Sequence, residues 1–269
     1  MKQTDARRKI RAAKAMKRKS KREAINNGVS NRKRTFKNNQ DTSIEPTRES
    51  TPAPRFRRNS KKRNTVLMFS SGLDSTAALY WMLENTDDNI YVHRIVLDNK
   101  EGRSGAESVA AKNIIRWFRK NCRKFDYQES HYSYNRYTPY DMYIYMHMAG
   151  IRGLGLRRKG GVHRVVTGSI KMYRKNTGVE RRRAKAWNIF SATYGKDNVE
   201  WFKPLISFTK EDVFNLLPRE LSDLTHSCRS PKGVDGLKSC GRCHSCMAMK
   251  RVRGRLTAQQ IRQFRGWNE

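Results

Sequence analysis

The chain has 269 residues, of which 36% are hydrophobic, and a formal net charge of +34. This length and apolar fraction allow one large domain with a tail, or two small domains, around a buried core. No apolar run reaches the ~18 residues of a membrane span, and the basic N-terminus lacks the apolar stretch of a secretory signal. We therefore expect an intracellular, cytoplasmic protein with reduced thiols and no membrane partner.

The positive charge is concentrated at the N-terminus. Residues 1–63 contain 22 Lys/Arg and 5 Asp/Glu, a net charge of +17 in under a quarter of the chain. Because few core-forming residues occur there, we interpret this segment as a disordered basic arm and linker. A polyanion, nucleic acid above all, is the natural partner of such an arm, and a solubilising tail without a specific target is the alternative.

After residue 63, apolar runs alternate with amphipathic runs. The apolar runs predict strands at 65–69, 89–97, 163–166 and 200–202. The amphipathic runs predict helices at 76–83, 106–120, 140–152 and 182–194. Thr209 and Asp212 have the spacing of a capping box, which predicts one more helix that stops before Pro218. Such alternation indicates an α/β fold, a Rossmann-like parallel sheet with helices on both faces.

The first strand ends in a polar turn, FSSGLDS, that leads directly into a helix. Amides at a helix N-terminus have no intrahelical partner, and the helix dipole favours an anion there. Ser70, Ser71 and Ser75 add hydroxyl donors, while Gly72 allows close backbone approach to a phosphate. Asp74 fits either an N-cap or a contact to Mg²⁺. The turn thus predicts an anion site, and a capped turn without a ligand is the alternative.

The turn lacks the lysine of a Walker A loop but resembles the PP-loop, S-G-G-x-D-S, of the ATP pyrophosphatases. This resemblance implies that ATP is cleaved between its α- and β-phosphates, that AMP is placed on a substrate oxygen, and that the loop holds pyrophosphate. Ser71 stands where the motif usually has a glycine. A serine can replace that glycine only if the backbone at this position needs no positive φ. The ATP-binding residues implied are Phe69, Ser70, Ser71, Gly72, Leu73, Asp74, Ser75, Thr76, Ala77, Ala78 and Leu79.

Four of the five cysteines lie close together near the C-terminus: Cys228, Cys240, Cys243 and Cys246. Their spacing predicts a closed thiolate cage for a structural Zn²⁺. An iron–sulfur cluster is the rival, and disulfides are disfavoured in a reducing compartment. Cys122 is isolated, so we expect an ordinary thiol, or a reactive one if its basic neighbours lower its pKa.

Together with the stretch PLISFTKEDV, the turn and the motif LTHSC…SCGRCHSC resemble the QueC-like 7-cyano-7-deazaguanine synthases over about residues 64–252. The family adenylates 7-carboxy-7-deazaguanine and converts it with ammonia to the nitrile preQ0. It uses ATP, Mg²⁺ and Zn²⁺, and its product serves queuosine-type or deazaguanine modification of nucleic acid. The resemblance admits a homodimer. The arm at 1–63 has no counterpart in the family, so we divide the chain into this arm, an ATP-binding domain at 64–225, and a zinc-knuckle and helical region at 226–269.

Outside the loop, the resemblance is uneven. Ser104 replaces a histidine of the family, and an acidic, substrate-facing stretch after the third strand is basic here, from Lys171 to Arg183. This basic stretch is typical of a face that binds phosphate or nucleic acid, and a solvated helix surface is the alternative. The candidates for substrate or phosphate contacts are Arg103, Glu107, Arg136, Gly168 and Lys171.

Three functions follow from these observations. The first is an ATP-dependent C–N ligase that acts on a free deazapurine acid. The second is a tRNA-modifying PP-loop enzyme that adenylates a base in place. The third is a non-catalytic, basic nucleic-acid-binding protein on the same fold, which the departures at Ser71 and Ser104 favour. The three functions differ in when pyrophosphate is released. The first releases it without RNA, the second only with tRNA, and the third under neither condition.

Overall fold

The computed structural model describes residues 62–134, 140–171, 177–195, 198–233 and 236–254. These residues belong to one compact unit, Ala53–Glu269. Predictions that concern residues 1–61, the candidate Arg136, and the basic residues Arg174 and Lys175 lie outside the described ranges.

A five-stranded sheet forms the centre of this unit, in the order β3-β2-β1-β4-β5. All four strand pairings are parallel. The central strand β1 is buried along its whole length, as expected for a strand covered on both faces. The strands are β1 Asn64–Phe69, β2 Asn89–Asp98, β3 Asp126–Ser133, β4 Arg164–Val166 and β5 Glu200–Phe202.

The described residues contain seven α-helices. They are α1 Leu73–Asn85, α2 Ser104–Asn121, α3 Asp141–Gly155, α4 Thr177–Tyr194, α5 Lys210–Leu216, α6 Arg219–Leu224 and α7 His244–Val252. A 3-10 turn, Arg157–Lys159, connects α3 to β4. Within the described ranges, none of these helices is both long and apolar enough to cross a membrane.

Two hydrophobic clusters cover opposite faces of the sheet. Leu67 and Phe69 of β1 point into one cluster, which is shared with α1, α2, α5 and α6. Val66 and Met68 point into the other, which is shared with α3 and α4. This alternation along one strand places helices on both faces, so the α/β, Rossmann-like fold predicted from the sequence is confirmed.

The four predicted strands and the five predicted helices are confirmed, with ends that shift by a few residues. The capping box is also present: the Thr209 hydroxyl accepts from the Asp212 amide, and the Asp212 carboxylate accepts from the Thr209 amide. The sequence did not predict β3. This edge strand is largely exposed and carries the polar sequence DYQESHYS, so it has no apolar pattern to reveal it.

Candidate functional site

A cleft opens at the carboxyl edge of the sheet, between β1 and β4. The chain leaves β1 toward β2 on one side, whereas β4 continues to β5 on the other, so this position is the topological switch point where α/β sheets bind ligands. The cleft has a volume of about 230 Å³. Its lining residues are Met68, Ser70, Gly72, Leu73, Asp74, Ser75, Arg103, Glu107, Met142, Tyr145, Thr167, Gly168, Lys210, His226, Ser227, Arg229 and Ser245.

The predicted anion-binding turn forms one wall of this cleft. Gly72 is the N-cap of α1 and provides no side-chain cap, and the first helical hydrogen bond runs from the Thr76 amide to the Gly72 carbonyl at 3.0 Å. The Ser75 hydroxyl lies 3.2 Å from the Ser70 amide and 3.1 Å from the Ser70 hydroxyl. The helix therefore begins with its amides at the cleft, and two hydroxyl groups lie beside them.

Ser71 adopts a left-handed backbone conformation with φ +58°. The expectation that serine fits this position only without a positive φ is therefore wrong. The side chain is buried, and its hydroxyl donates to the Glu107 carbonyl at 3.0 Å. This hydrogen bond ties the turn to α2 and offsets part of the cost, about 1 kcal/mol, of a non-glycine residue in this region.

Gly168 brings the loop after β4 against the start of α1. A Cβ at this position would lie 2.6 Å from the Ser75 amide nitrogen and 2.7 Å from the Asp74 carbonyl carbon. Such contacts are too short for any side chain, so glycine is required here. Glycine thus lets the loop after β4 pack directly against the first turn of α1.

Asp74 is paired with Lys210, a residue that the sequence analysis did not select. The Lys210 ammonium donates to the Asp74 carboxylate at 2.7 Å, and both side chains line the cleft. Asp74 is therefore not the N-cap, which is Gly72. Lys210 belongs to the PLISFTKEDV stretch, so its signal was the resemblance of that stretch to a family motif.

Arg103 is almost fully buried and is surrounded by carboxylates. Its guanidinium contacts Glu107 at 2.6 Å and also pairs with Glu101 and Asp141. Burial acts to lower the pKa of Arg103, but Glu107 and Asp141 outweigh it, so the group stays protonated. Three acids therefore share the charge of Arg103, whose side chain lines the cleft.

Glu107 is the most buried carboxylate of this cluster. Burial raises its pKa, and the guanidinium of Arg103 opposes that rise. Arg229 approaches from the C-terminal segment and contacts Glu101 at 2.9 Å and Asp141 at 3.3 Å. Two guanidinium groups and three carboxylates thus form one charged cluster, here called the charged wall, of which Arg103, Glu107 and Arg229 line the cleft.

The four clustered cysteines meet in space. The sulfurs of Cys228, Cys240, Cys243 and Cys246 all lie within 4.8 Å of one another. Zinc–sulfur bonds of about 2.3 Å in a tetrahedron place the sulfurs about 3.8 Å apart, and the Cys240 and Cys246 sulfurs are 3.9 Å apart. A cubane cluster interposes four iron atoms and therefore needs wider separations. The arrangement fits a zinc knuckle.

The fifth cysteine is not activated. Burial, reinforced by Glu84, raises the pKa of the Cys122 thiol to about 11, although Arg123 opposes this. The interpretation that basic neighbours make this thiol reactive is therefore wrong, and Cys122 is an ordinary partly buried thiol.

The structure brings together many, but not all, of the predicted site residues. Ser70, Gly72, Leu73, Asp74, Ser75, Arg103, Glu107 and Gly168 line one cleft. Phe69 and Thr76–Leu79 are buried behind it in the core, where they position the turn. Lys171 is exposed outside the cleft, and its amide donates to the Phe208 carbonyl. Sequence reasoning missed Lys210, His226, Ser227 and Arg229, which come from distant segments.

Comparison with known proteins finds a likeness among solved structures. No family model and no curated protein matches the chain. Among solved structures, the chain is similar to the U34-tRNA thiolase NcsA from Methanococcus maripaludis with its 4Fe-4S cluster, at 15% identity and a TM-score of 0.42. The match covers 77% of this chain and 72% of that one. The fold and site observed here are those of a Rossmann-like α/β protein with four clustered cysteines whose geometry suits a metal ion.

Proposed function

We propose that this protein is an ATP-dependent enzyme of the PP-loop type that adenylates a carboxylic acid and releases pyrophosphate. One observation carries the proposal: Ser70, Gly72–Ser75 and Lys210 line one cleft at the switch point of the sheet, with the Ser70 and Ser75 hydroxyls 3.1 Å apart and the Lys210 ammonium 2.7 Å from Asp74. Amides and hydroxyls at a helix start bind phosphate oxygens, and an ammonium group neutralises their charge.

The reaction proceeds by displacement at the α-phosphorus of ATP. An oxygen of the acid forms a bond to this phosphorus while the bond to the bridging oxygen breaks, and pyrophosphate leaves with the electron pair. Charge develops on the leaving group, where the α1 N-terminus and Lys210 stabilise it. Asp74, which already contacts Lys210, is the carboxylate placed to hold Mg²⁺, and this ion would neutralise phosphate charge.

The particular acid that we propose is 7-carboxy-7-deazaguanine. Ammonia attacks the acyl adenylate, and AMP leaves to give the amide. A second ATP activates the amide oxygen, and loss of AMP and a proton gives the nitrile. Support comes from the sequence resemblance and from Glu107, the carboxylate of the charged wall that lines the cleft, because it can accept from the ring N–H and amino group of a guanine edge.

The cysteine centre has a structural role in this proposal. All four of its ligands are thiolates from the chain, so a bound Zn²⁺ has no open position for a substrate. The ion would fix the segment that carries His226, Ser227 and Arg229 to the cleft.

A second acceptor, a base within tRNA, is favoured by one specific observation. Arg181, Arg182 and Lys185 of α4 are exposed, and the Arg182 guanidinium lies 5.3 Å from the ring centre of Tyr140, at the start of α3. Because α3 and α4 follow β3 and β4, they begin at the carboxyl edge, where the cleft opens. A phosphate backbone bound there would approach the cleft.

The test measures AMP and pyrophosphate from ATP, Mg²⁺, ammonium and 7-carboxy-7-deazaguanine, with and without tRNA. If the protein is the ligase, AMP and pyrophosphate should form without RNA, together with a nitrile that mass spectrometry detects. Turnover only with tRNA identifies the second acceptor instead, and no turnover under any condition contradicts adenylation. Ser75→Ala should abolish turnover, whereas Ser239→Ala, at an exposed serine outside the cleft, should leave it unchanged.

A further inference from the structure

Residues 226–229 connect the cysteine centre to the anion-binding turn. The His226 amide donates to the Ser71 carbonyl at 3.1 Å, and the Leu73 amide donates to the Ser227 hydroxyl at 3.2 Å. The next residue, Cys228, is buried and belongs to the thiolate cage. Two consecutive residues therefore hold the turn, and the residue that follows them is a metal ligand.

The same segment also reaches the opposite wall. Arg229 contacts Glu101 at 2.9 Å and Asp141 at 3.3 Å, and these carboxylates also hold Arg103. Four consecutive residues thus contact the turn, the metal cage and the charged wall in succession. Residues 226–229 therefore link Cys228 to both sides of the cleft by direct contacts.

Little else constrains this segment. Between the end of α6 at Leu224 and the start of α7 at His244, the described residues form only an isolated bridge, Lys232 with Lys238. Cys228 is joined to the rest of the cage by hydrogen bonds to sulfur, among them one from the Cys240 amide at 3.2 Å. Metal–thiolate bonds are far stronger than such contacts, so metal binding is the main force that orders a knuckle of this kind.

The turn needs this support because it is strained. Ser71 has φ +58°, and a non-glycine residue keeps such a conformation only where its surroundings fix it. The His226 amide holds the carbonyl of this same residue. The Ser227 hydroxyl accepts from the Leu73 amide, the first amide of α1. This hydrogen bond fixes the direction in which the next amides, those of Asp74 and Ser75, point.

We propose that the metal centre holds the phosphate-binding turn in its binding geometry through residues 226–229, with Ser227 as the positioning residue. This proposal rests on the proposed function, because it assigns the turn to the phosphates of a nucleotide. Metal loading and nucleotide affinity are therefore coupled through this segment, and the Ser227 hydroxyl, which accepts from the Leu73 amide, is the contact that a single substitution can remove.

Two measurements on the full-length protein test the coupling: calorimetric titration with ATP and Mg²⁺, and hydrogen exchange of residues 70–76 without nucleotide. Removal of zinc should weaken ATP binding by about tenfold or more and accelerate exchange at the Leu73 amide. Ser227→Ala should retain one zinc per chain but weaken ATP binding by about fivefold. Ser227→Thr keeps the hydroxyl and should restore affinity, and Ser239→Ala, which also precedes a cysteine ligand, should match the wild type.

The outcomes separate the two proposals. Equal ATP affinity and equal exchange in zinc-loaded, zinc-free and Ser227→Ala proteins overturn the coupling. If loaded wild type binds no ATP, the proposed function fails, and the exchange of residues 70–76 still decides whether the metal orders the turn. If zinc removal unfolds the whole protein, seen by far-UV circular dichroism, the zinc-loaded Ser227→Ala and Ser227→Thr proteins decide the question.

Discussion

Lys210 and Asp74 form an ion pair at 2.7 Å across 136 positions of the chain. The capping box of α5 presents Lys210 at the start of that helix, and the turn after β1 presents Asp74 in the first turn of α1. A lysine that faces a helix N-terminus would be repelled by the positive end of the dipole without a nearby acid. The pair thus keeps a cation beside the anion site before a nucleotide arrives.

Replacing Lys210 tests the role of this cation. Lys210→Ala should weaken ATP binding about tenfold or more, because one charge-assisted contact to phosphate is lost and Asp74 is left to repel the phosphates. Isothermal titration with ATP and Mg²⁺ measures the effect. Lys112→Ala removes an equal charge from an exposed position on α2, outside the cleft, and should leave affinity unchanged. Equal losses in both variants would show a general charge effect.

The strain at Ser71 predicts a difference between two small replacements. Both Ser71→Gly and Ser71→Ala lose the hydrogen bond to the Glu107 carbonyl, but only glycine adopts φ +58° without cost. Ser71→Gly should therefore be more stable than Ser71→Ala by about 1 kcal/mol. Urea unfolding curves of the two variants measure this difference. Equal stabilities would mean that the left-handed conformation carries no cost here.

The cysteine cage predicts a linked loss of metal and stability. Cys243→Ser removes one thiolate, so zinc content should fall from one per chain and the melting temperature should fall with it. Elemental analysis and thermal unfolding follow the two quantities. Cys122→Ser changes a thiol outside the cage and should retain the zinc. An unchanged zinc content in Cys243→Ser, or iron in place of zinc, would contradict the assignment.

Because His93 is buried, we expect the stability of the protein to depend on pH. His93 lies on β2 with 4% of its surface exposed and no hydrogen-bond partner for either ring nitrogen. Burial, reinforced by Arg152, lowers its pKa to about 4. Unfolded chains take up a proton below about pH 6.5 and folded chains do not until about pH 4, so stability falls as the pH falls through this window.

The size of that loss should be about 2 kcal/mol between pH 6.5 and pH 5. His93→Leu lacks the titrating group and should lose less stability over the same interval. Urea unfolding of both proteins at each pH isolates the contribution of His93, because metal release and other titrations affect both alike. Parallel losses in the two proteins would show that His93 does not titrate differently on folding.

The sequence contained the local parts of this site. The turn after β1 and the cysteine cage could be predicted because each is a short motif whose residues lie together in the chain. Gly168 was also selected from the sequence. The reason that this position requires glycine, its close approach to the Ser75 amide, is visible only in the structure.

The long-range parts could not be predicted in the same way. Ser227 reaches Leu73 across 154 positions, and no periodicity or spacing encodes such a contact. Arg103 was selected as a phosphate candidate, but one of the acids that share its charge, Asp141 of α3, lies 38 positions away in the chain. The conformation of Ser71 depends on Glu107 and His226, so the sequence alone misjudged it.

The central claim is that the Ser70–Ser75 turn binds the phosphates of ATP, and calorimetric titration of wild type, Gly168→Ala and Gly155→Ala tests it most directly. A Cβ at 168 would meet the Ser75 amide at 2.6 Å, whereas one at 155 meets nothing within 4 Å. We expect saturable ATP binding that pyrophosphate competes away, lost in Gly168→Ala and kept in Gly155→Ala. Wild-type protein that binds no ATP, or a Gly168→Ala variant that binds it equally well, would contradict the claim.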